Sequence, residues 1–184
     1  MDWTTLVRRI LLVATIVVPI QASAHPHHYV DQQVQLSIGL TAVELAVVIV
    51  PSRQDGAAIF STIDGNGDGD VSEEEARTFG TNVVSATRLT IDGRTFTFAL
   101  ANVGIPDAKT VASGTAAIAV NASAELRLAD REAHSVDFAI TYEEFSHDWF
   151  VQPFFFPNLL GKISQLEIDR SDITGQVVVR FSNR

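Results

Sequence analysis

The chain has 184 residues, 46% of them hydrophobic and 19% charged, with a net charge of -9 and no cysteine. That much apolar material supports one packed domain and excludes global disorder. The acidic balance argues against nucleic acid as a partner, because phosphate binding needs Lys and Arg, and the missing cysteines remove thiolate metal sites, thiol catalysis and haem attachment through C-x-x-C-H.

In chain order, the first feature is "MDWTTLVRRILLVATIVVPIQASA", residues 1–24. Arg8 and Arg9 precede an apolar run from Ile10 to Ile20, and Ala22 and Ala24 stand at the A-x-A positions of a cleavage site. Basic, then apolar, then small is the layout of a secretory signal peptide. The run falls short of the roughly 20 apolar residues of a membrane span, and Pro19 interrupts it. These features predict export to the periplasm or beyond, with cleavage near Ala24.

"HPHHYVD" follows, carrying His25, His27 and His28. Cleavage after Ala24 would make His25 the first residue, so that its amine and imidazole can chelate one metal ion together. Pro26 lacks an N–H, which rules out a square-planar site using that amide. In an extended chain His25 and His27 face one side and His28 the other. Imidazole suits Cu, Zn or Ni. The competing reading is an exposed polar leader into the first strand.

Residues 29–50 read as two strands. Val34, Leu36 and Ile38 alternate with Gln33, Gln35 and Ser37, "IGLT" makes the turn, and Val47 to Val50 suit a central strand. Ser52 and Asp55 then form a capping box in sequence, ahead of a short helix in "AAIFSTI". A second helix, "SEEEARTFGTNVVSA", opens at Ser72 with Glu73, Glu74 and Glu75 at the positive end of its dipole. Strands return in "RLTIDGRTFTF", where Asp92-Gly93 is a strong hairpin signal. Four more are expected in "TAAIAVNASAELRL", "HSVDFAITYEEF", "ISQLEID" and "GQVVVRF". No repeated helical crossover joins them, which argues against a parallel doubly wound sheet.

Between the two helices lies "DGNGDGDVSEEE", Asp64 to Glu75, which fits D-x-[DN]-x-[DN]-G-x5-E at every specified position. Asp64, Asn66 and Asp68 stand at positions one, three and five, and Gly69 makes the sharp bend at six. Asp70 would offer its carbonyl at seven, Ser72 would act directly or through water at nine, and Glu75 would supply both carboxylate oxygens at twelve. That set is the oxygen-rich shell of calcium. The alternative is a solvated turn, since DG and NG pairs turn chains anyway.

Two later segments carry weaker signals. "YEEFSHDWF" places His147 near Glu143, Glu144 and Asp148, a set that could bind a transition metal or be solvated loop charge. "WFVQPFFFPNLL" crowds Trp149, Phe150, Phe154, Phe155 and Phe156 between prolines. It reads as a core plug or as an exposed patch in which Trp149, Phe154 and Phe155 contact a partner or membrane. G-x-S-x-G, P-loop and H-E-x-x-H motifs are absent, and no enzymatic role is expected.

The Asp64–Glu75 loop resembles an EF-hand, including apolar Phe60 and Ile63 before it and Val71 at position eight, with Ala76 smaller than usual at thirteen. The layout of "AHPHHYVD", "STIDGNGDGDVSEEEA" and "RLTIDGR" resembles a family of bacterial periplasmic proteins that begin HPH after the signal. Members are labelled periplasmic components of transport systems and often lie beside nickel/cobalt permeases. The resemblance covers the first half of the chain after the signal, and His28 departs from its pattern. It implies metal handling near an inner-membrane permease. The expected fold is mainly β: a single antiparallel β-sandwich over 25–184, with an EF-hand-like helix–loop–helix insertion at 52–87. The expected function is an exported calcium-binding accessory protein that handles a transition metal for a permease. The alternative is a structural module in which calcium only stabilises the fold and the aromatic patch docks a membrane partner.

Overall fold

The computed structural model describes residues 29–129, 132–171 and 174–183. The expected signal peptide, and His25, His27 and His28, lie outside them. Ten strands form: β1 (Asp31–Ile38), β2 (Ala42–Val50), β3 (Thr87–Ile91), β4 (Arg94–Phe96), β5 (Ala99–Gly104), β6 (Ile118–Glu125), β7 (Ala133–Ile140), β8 (Phe150–Phe155), β9 (Ile163–Arg170) and β10 (Gln176–Asn183). Four helices accompany them: α1 (Gly56–Ile63), α2 (Glu73–Ser85), α3 (Ala108–Ala112) and α4 (Pro157–Leu160). The protein is mainly β, and both sheets are rich in antiparallel pairs.

One sheet has the order β5-β6-β2-β1-β8, the other β4-β3-β7-β10-β9. All their pairings are antiparallel except β1 with β8. Alternation explains the two-sided strands. Val34, Leu36 and Ile38 of β1, and Val43, Leu45, Val47 and Ile49 of β2, are buried, as are Val136 and Phe138 of β7 and Val177, Val179 and Phe181 of β10. They belong to one contiguous hydrophobic cluster fed by both sheets. Each such side chain contributes about 1.5–3 kcal/mol of burial free energy. The apolar run at Val47–Val50 follows from position, since β2 lies at the middle of its sheet.

The Asp92-Gly93 turn joins β3 to β4 as its residue types demand. Both residues have positive φ, 50° and 79°, as a tight two-residue hairpin of this hand requires. The helices α1 and α2 lie between β2 and β3. Both join the hydrophobic cluster, α1 through buried Ile59, Phe60 and Ile63, α2 through Phe79, Val83 and Val84. α2 packs against β5 at Gly80, where a Cβ would stand 2.4 Å from Val103 Cγ2. α1 packs mainly on α3 rather than on α2. Ser52 and Asp55 do bond reciprocally, but they close a turn that precedes α1, because Gly56 N–H already donates to Ser52 O at 2.9 Å.

Two strands are additions to the sequence reading. β5, "ALANVG", pairs with β6 across an irregular register. β8 runs through the aromatic segment itself, with Val151 and Pro153 buried and Phe154 exposed. Among the described residues no helix is long and apolar enough to cross a membrane.

Candidate metal centre

Asp64 is the C-terminal cap of α1, its N–H donating to Phe60 O. Its residue is 7% exposed, and its two carboxylate oxygens accept from Gly67 N–H and Gly69 N–H, each at 2.9 Å. That geometry depends on φ of 72° at Gly67 and 91° at Gly69, which side-chain-bearing residues rarely adopt. Asn66 Oδ1 accepts from Asp68 N–H at 2.8 Å, and Asp68 Oδ1 accepts from Asp70 N–H at 2.9 Å. The alternate acidic and amide residues therefore wind the loop by capping successive N–H groups.

The far end closes through Glu75. Ser72 caps α2 in a full capping box: Ser72 Oγ accepts from Glu75 N–H, and Ser72 N–H donates to Glu75 Oε2 at 2.9 Å. The other oxygen, Oε1, reaches back across the loop to accept from Asn66 N–H at 3.1 Å. The Ser72 hydroxyl, then its N–H and those of Asn66 and Gly65, hold the Glu75 carboxyl below the ordinary glutamate value. Asp64, Asn66, Asp68, Asp70, Ser72 and Glu75 thus sit on one short loop as the sequence orders them, with Val71 packed on the core. Among the described residues no group of three His, Asp or Glu side chains is drawn together at ligating distance. The loop carboxylates turn to backbone N–H groups, which offer compensation where like charges repel. The donor chemistry fits a hard, oxygen-preferring ion such as calcium.

An open groove of about 780 Å³, lined by Ile63, Asn66, Glu75, Phe79, Tyr142 and Glu144, separates this loop from the segment between β7 and β8. In that segment His147 Nδ1 stands 3.2 Å from Glu143 Oε2, both side chains exposed. Tyr142 and Phe145 pack on Phe79 of α2. Burial, then the Glu144 charge, pushes the Tyr142 phenol up to about 12. The segment is held from below by Gln32, 2% exposed, whose Nε2 donates to Ser146 O at 2.9 Å and Asp148 O at 3.1 Å.

The aromatic segment divides. Trp149 is 1% exposed and donates from Nε1 to Tyr142 O at 2.7 Å. Of the two readings, core plug and outward patch, Trp149 takes the first and not the partner contact: a buried indole needs a partner for its N–H and finds it inside. Phe155 is half-buried edge-on to Phe181, whereas Phe154 is exposed. Alternation along β8 accounts for the split.

A polar cluster that the sequence reading did not single out ties the β3–β4 turn to β7. Asp92 Oδ1 accepts from Ser135 N–H at 3.0 Å, and Oδ2 lies 2.8 Å from Nδ1 of buried His134. The pair is 42 residues apart, and no local pattern signals it. No known family model matches the chain, and no curated protein sequence matches it.

Proposed function

We propose that the protein is an exported, non-enzymatic calcium-binding accessory protein of β-sandwich architecture, in which α1, the loop and α2 act as an EF-hand-like unit. The carrying observation is Glu75, whose carboxylate already spans the loop from Ser72 to Asn66. To serve as the bidentate ligand it exchanges those N–H donors for the ion, while Asp64, Asn66, Asp68, the Asp70 carbonyl and Ser72 supply the remaining oxygens. Both flanking helices bury side chains in the hydrophobic cluster, which favours a stiffening role over an opening one. Exported modules of this kind need only weak sites, with Kd about 10⁻⁴ to 10⁻³ M. Handling of Cu, Zn or Ni for an inner-membrane permease is the second part of the reading, carried by the histidines.

Melting with and without calcium tests the first part. Saturation at a hundredfold over Kd stabilises a folded-state binder by about 2.7 kcal/mol, so the melting temperature should rise by several degrees, and Asp64→Asn should abolish most of the rise. No shift in the parent protein would remove the calcium reading. The structural-module alternative is supported by one observation: Phe154, Leu166 and Ile168 are large apolar residues left exposed on β8 and β9, a surface suited to a membrane-bound partner.

A further inference from the structure

The two sheets end in four edge strands, β5 and β8 in one, β4 and β9 in the other. An edge presents a row of unpaired N–H and C=O groups to any extended chain, and proteins blunt such edges. Three of these four are blunted. β4 is only three residues long. β5 breaks register with β6 between Leu100 and Asn102. β8 carries Pro153. Its Phe156 N–H donates to Ile38 O of β1, so by alternation residue 153 turns its missing N–H to the free side. β9 has none of these devices. It is eight residues long without proline, and its register with β10 runs unbroken from Gln165 to Arg170. Every residue of β9 after Ile163 is exposed, and among the described residues β10 is the one strand paired with it.

The direction of the β9 backbone groups follows from one bond. Ser171 N–H donates to Gln176 O at 3.1 Å. Antiparallel strands bond through every second residue. Asp169, Glu167 and Gln165 therefore turn their N–H and C=O groups to β10, and Leu166 and Ile168 turn theirs to the free side. The side chains alternate as well. Leu166 lies opposite Phe181 and Ile168 opposite Val179, so both share the face of the core. Phe181 and Val179 are buried, whereas Leu166 and Ile168 are 44% and 42% exposed. A charge at such an inward edge position repels a further strand; here the positions hold Leu and Ile. The other face of β9 shows Glu167 and Asp169, with Arg180 of β10 3.9 Å from Glu167 and both side chains exposed.

We propose that the free side of β9 is a docking edge, which takes an extended segment of another protein as an added strand. That segment carries apolar residues opposite Leu166 and Ile168 and Lys or Arg opposite Glu167 and Asp169. Main-chain bonds to Leu166 and Ile168 hold the segment, and apolar cross-strand pairs cover the two exposed side chains. The opposite charges select the partner. Charge also argues against a second copy of this chain. Two β9 strands paired together would crowd both pairs of acids onto one face, in chains of net charge -9 each, and like charges across a pair destabilise it. The inference does not depend on the calcium loop. It rests on the docking alternative of the function reading and gives the partner there its chemistry.

The test uses the full chain and three peptides: acetyl-Lys-Val-Lys-Val-Lys-Val-Lys-amide, its copy with methylated backbone nitrogens, and its copy with Glu for every Lys. Calorimetry should show one lysine peptide bound per chain, and the other two peptides bound at least tenfold more weakly. Ile168→Pro deletes a free-side N–H and no bond to β10, and should weaken the lysine peptide at least tenfold. The double variant Glu167→Lys/Asp169→Lys should reverse the preference, so that the glutamate peptide binds better than the lysine one. Melting temperatures check both folds, and the charge-reversed variant decides the matter if the proline variant unfolds. No binding of the lysine peptide overturns the proposal, as do equal binding of the methylated peptide or an unreversed preference. A dimer in sedimentation that Ile168→Pro dissociates overturns it in favour of a second copy. Binding kept by the methylated peptide and in Ile168→Pro, but lost in Leu166→Ser/Ile168→Ser, overturns strand addition alone and leaves the docking alternative standing. If Leu166→Ser/Ile168→Ser also leaves binding unchanged, docking at these residues falls with it.

Discussion

The protein carries two acidic segments that face each other across a groove, Asp64–Glu75 and Tyr142–Trp149, and they are ordered by opposite means. The first is built from within: Asp64, Asn66, Asp68 and Glu75 each accept from N–H groups of the same loop. The second is held from outside, by Gln32 below it and by the buried Trp149 at its end. A segment that wraps its own carboxylates concentrates hard oxygen atoms, which suits calcium. A segment pinned at its backbone leaves side chains such as His147 free to project into solvent.

The largest expected effect strikes the second segment. Trp149→Ala removes a fully buried indole and should destabilise the protein by about 3–5 kcal/mol. Phe154→Ala, five residues on and exposed on the opposite face, should lose less than about 1 kcal/mol. Denaturant melts of both variants check the contrast, and similar losses would mean that β8 is not split into an inner and an outer face. Next comes the first segment. Asp64→Ala orphans the N–H groups of Gly67 and Gly69 and should cost about 1–3 kcal/mol even in the absence of calcium. A stability within error of the parent in chelator would show that the loop does not depend on its own caps.

How far these differences were legible in the sequence depends on the range of the interaction that creates each feature. The strands β1 and β2, the Ser72 cap and the Asp92-Gly93 turn are set by neighbours one to four residues apart, and all of them stand where the pattern puts them. β8 runs through the segment that the sequence offers as a core plug or an exposed patch, with Pro153 inside it. The strand exists because it is an edge, paired on one side only with β1, where a missing N–H is tolerated. β5 lacks alternation, since only Leu100 and Val103 lean on α2 at Gly80. The bonds from Gln32 to Ser146 and Asp148 span 114 and 116 residues. No periodicity encodes such a contact.

Smaller effects sharpen the account of the first segment. Ser72→Ala removes one side of the capping box and should destabilise by about 1 kcal/mol in a thermal melt. A loss well under half of that would mean that the α2 start is held by packing at Phe79 instead. The smallest effect is one of pH. The Glu75 carboxyl titrates lower in the folded protein than the ordinary value of 4.5. Its contribution is therefore complete above that value and is lost as pH falls through the lowered one. Melting temperatures of the parent and Glu75→Gln should converge as the pH is taken below 4.5, and a constant gap would contradict the assigned hydrogen bonds.

The central claim is that Glu75 closes the loop as a cap and, on exchange, ligates calcium. Glu75→Gln separates the two roles, because Gln can keep the capping hydrogen bond but not the bidentate carboxylate. Calcium calorimetry of the parent and this variant, at neutral pH, is the direct measurement. The account predicts one calcium ion per parent chain and affinity at least tenfold weaker in Glu75→Gln, with only the small, pH-dependent melting-temperature gap left between the two in chelator. Equal calcium affinity in the two proteins, or no calcium heat in the parent, would contradict it.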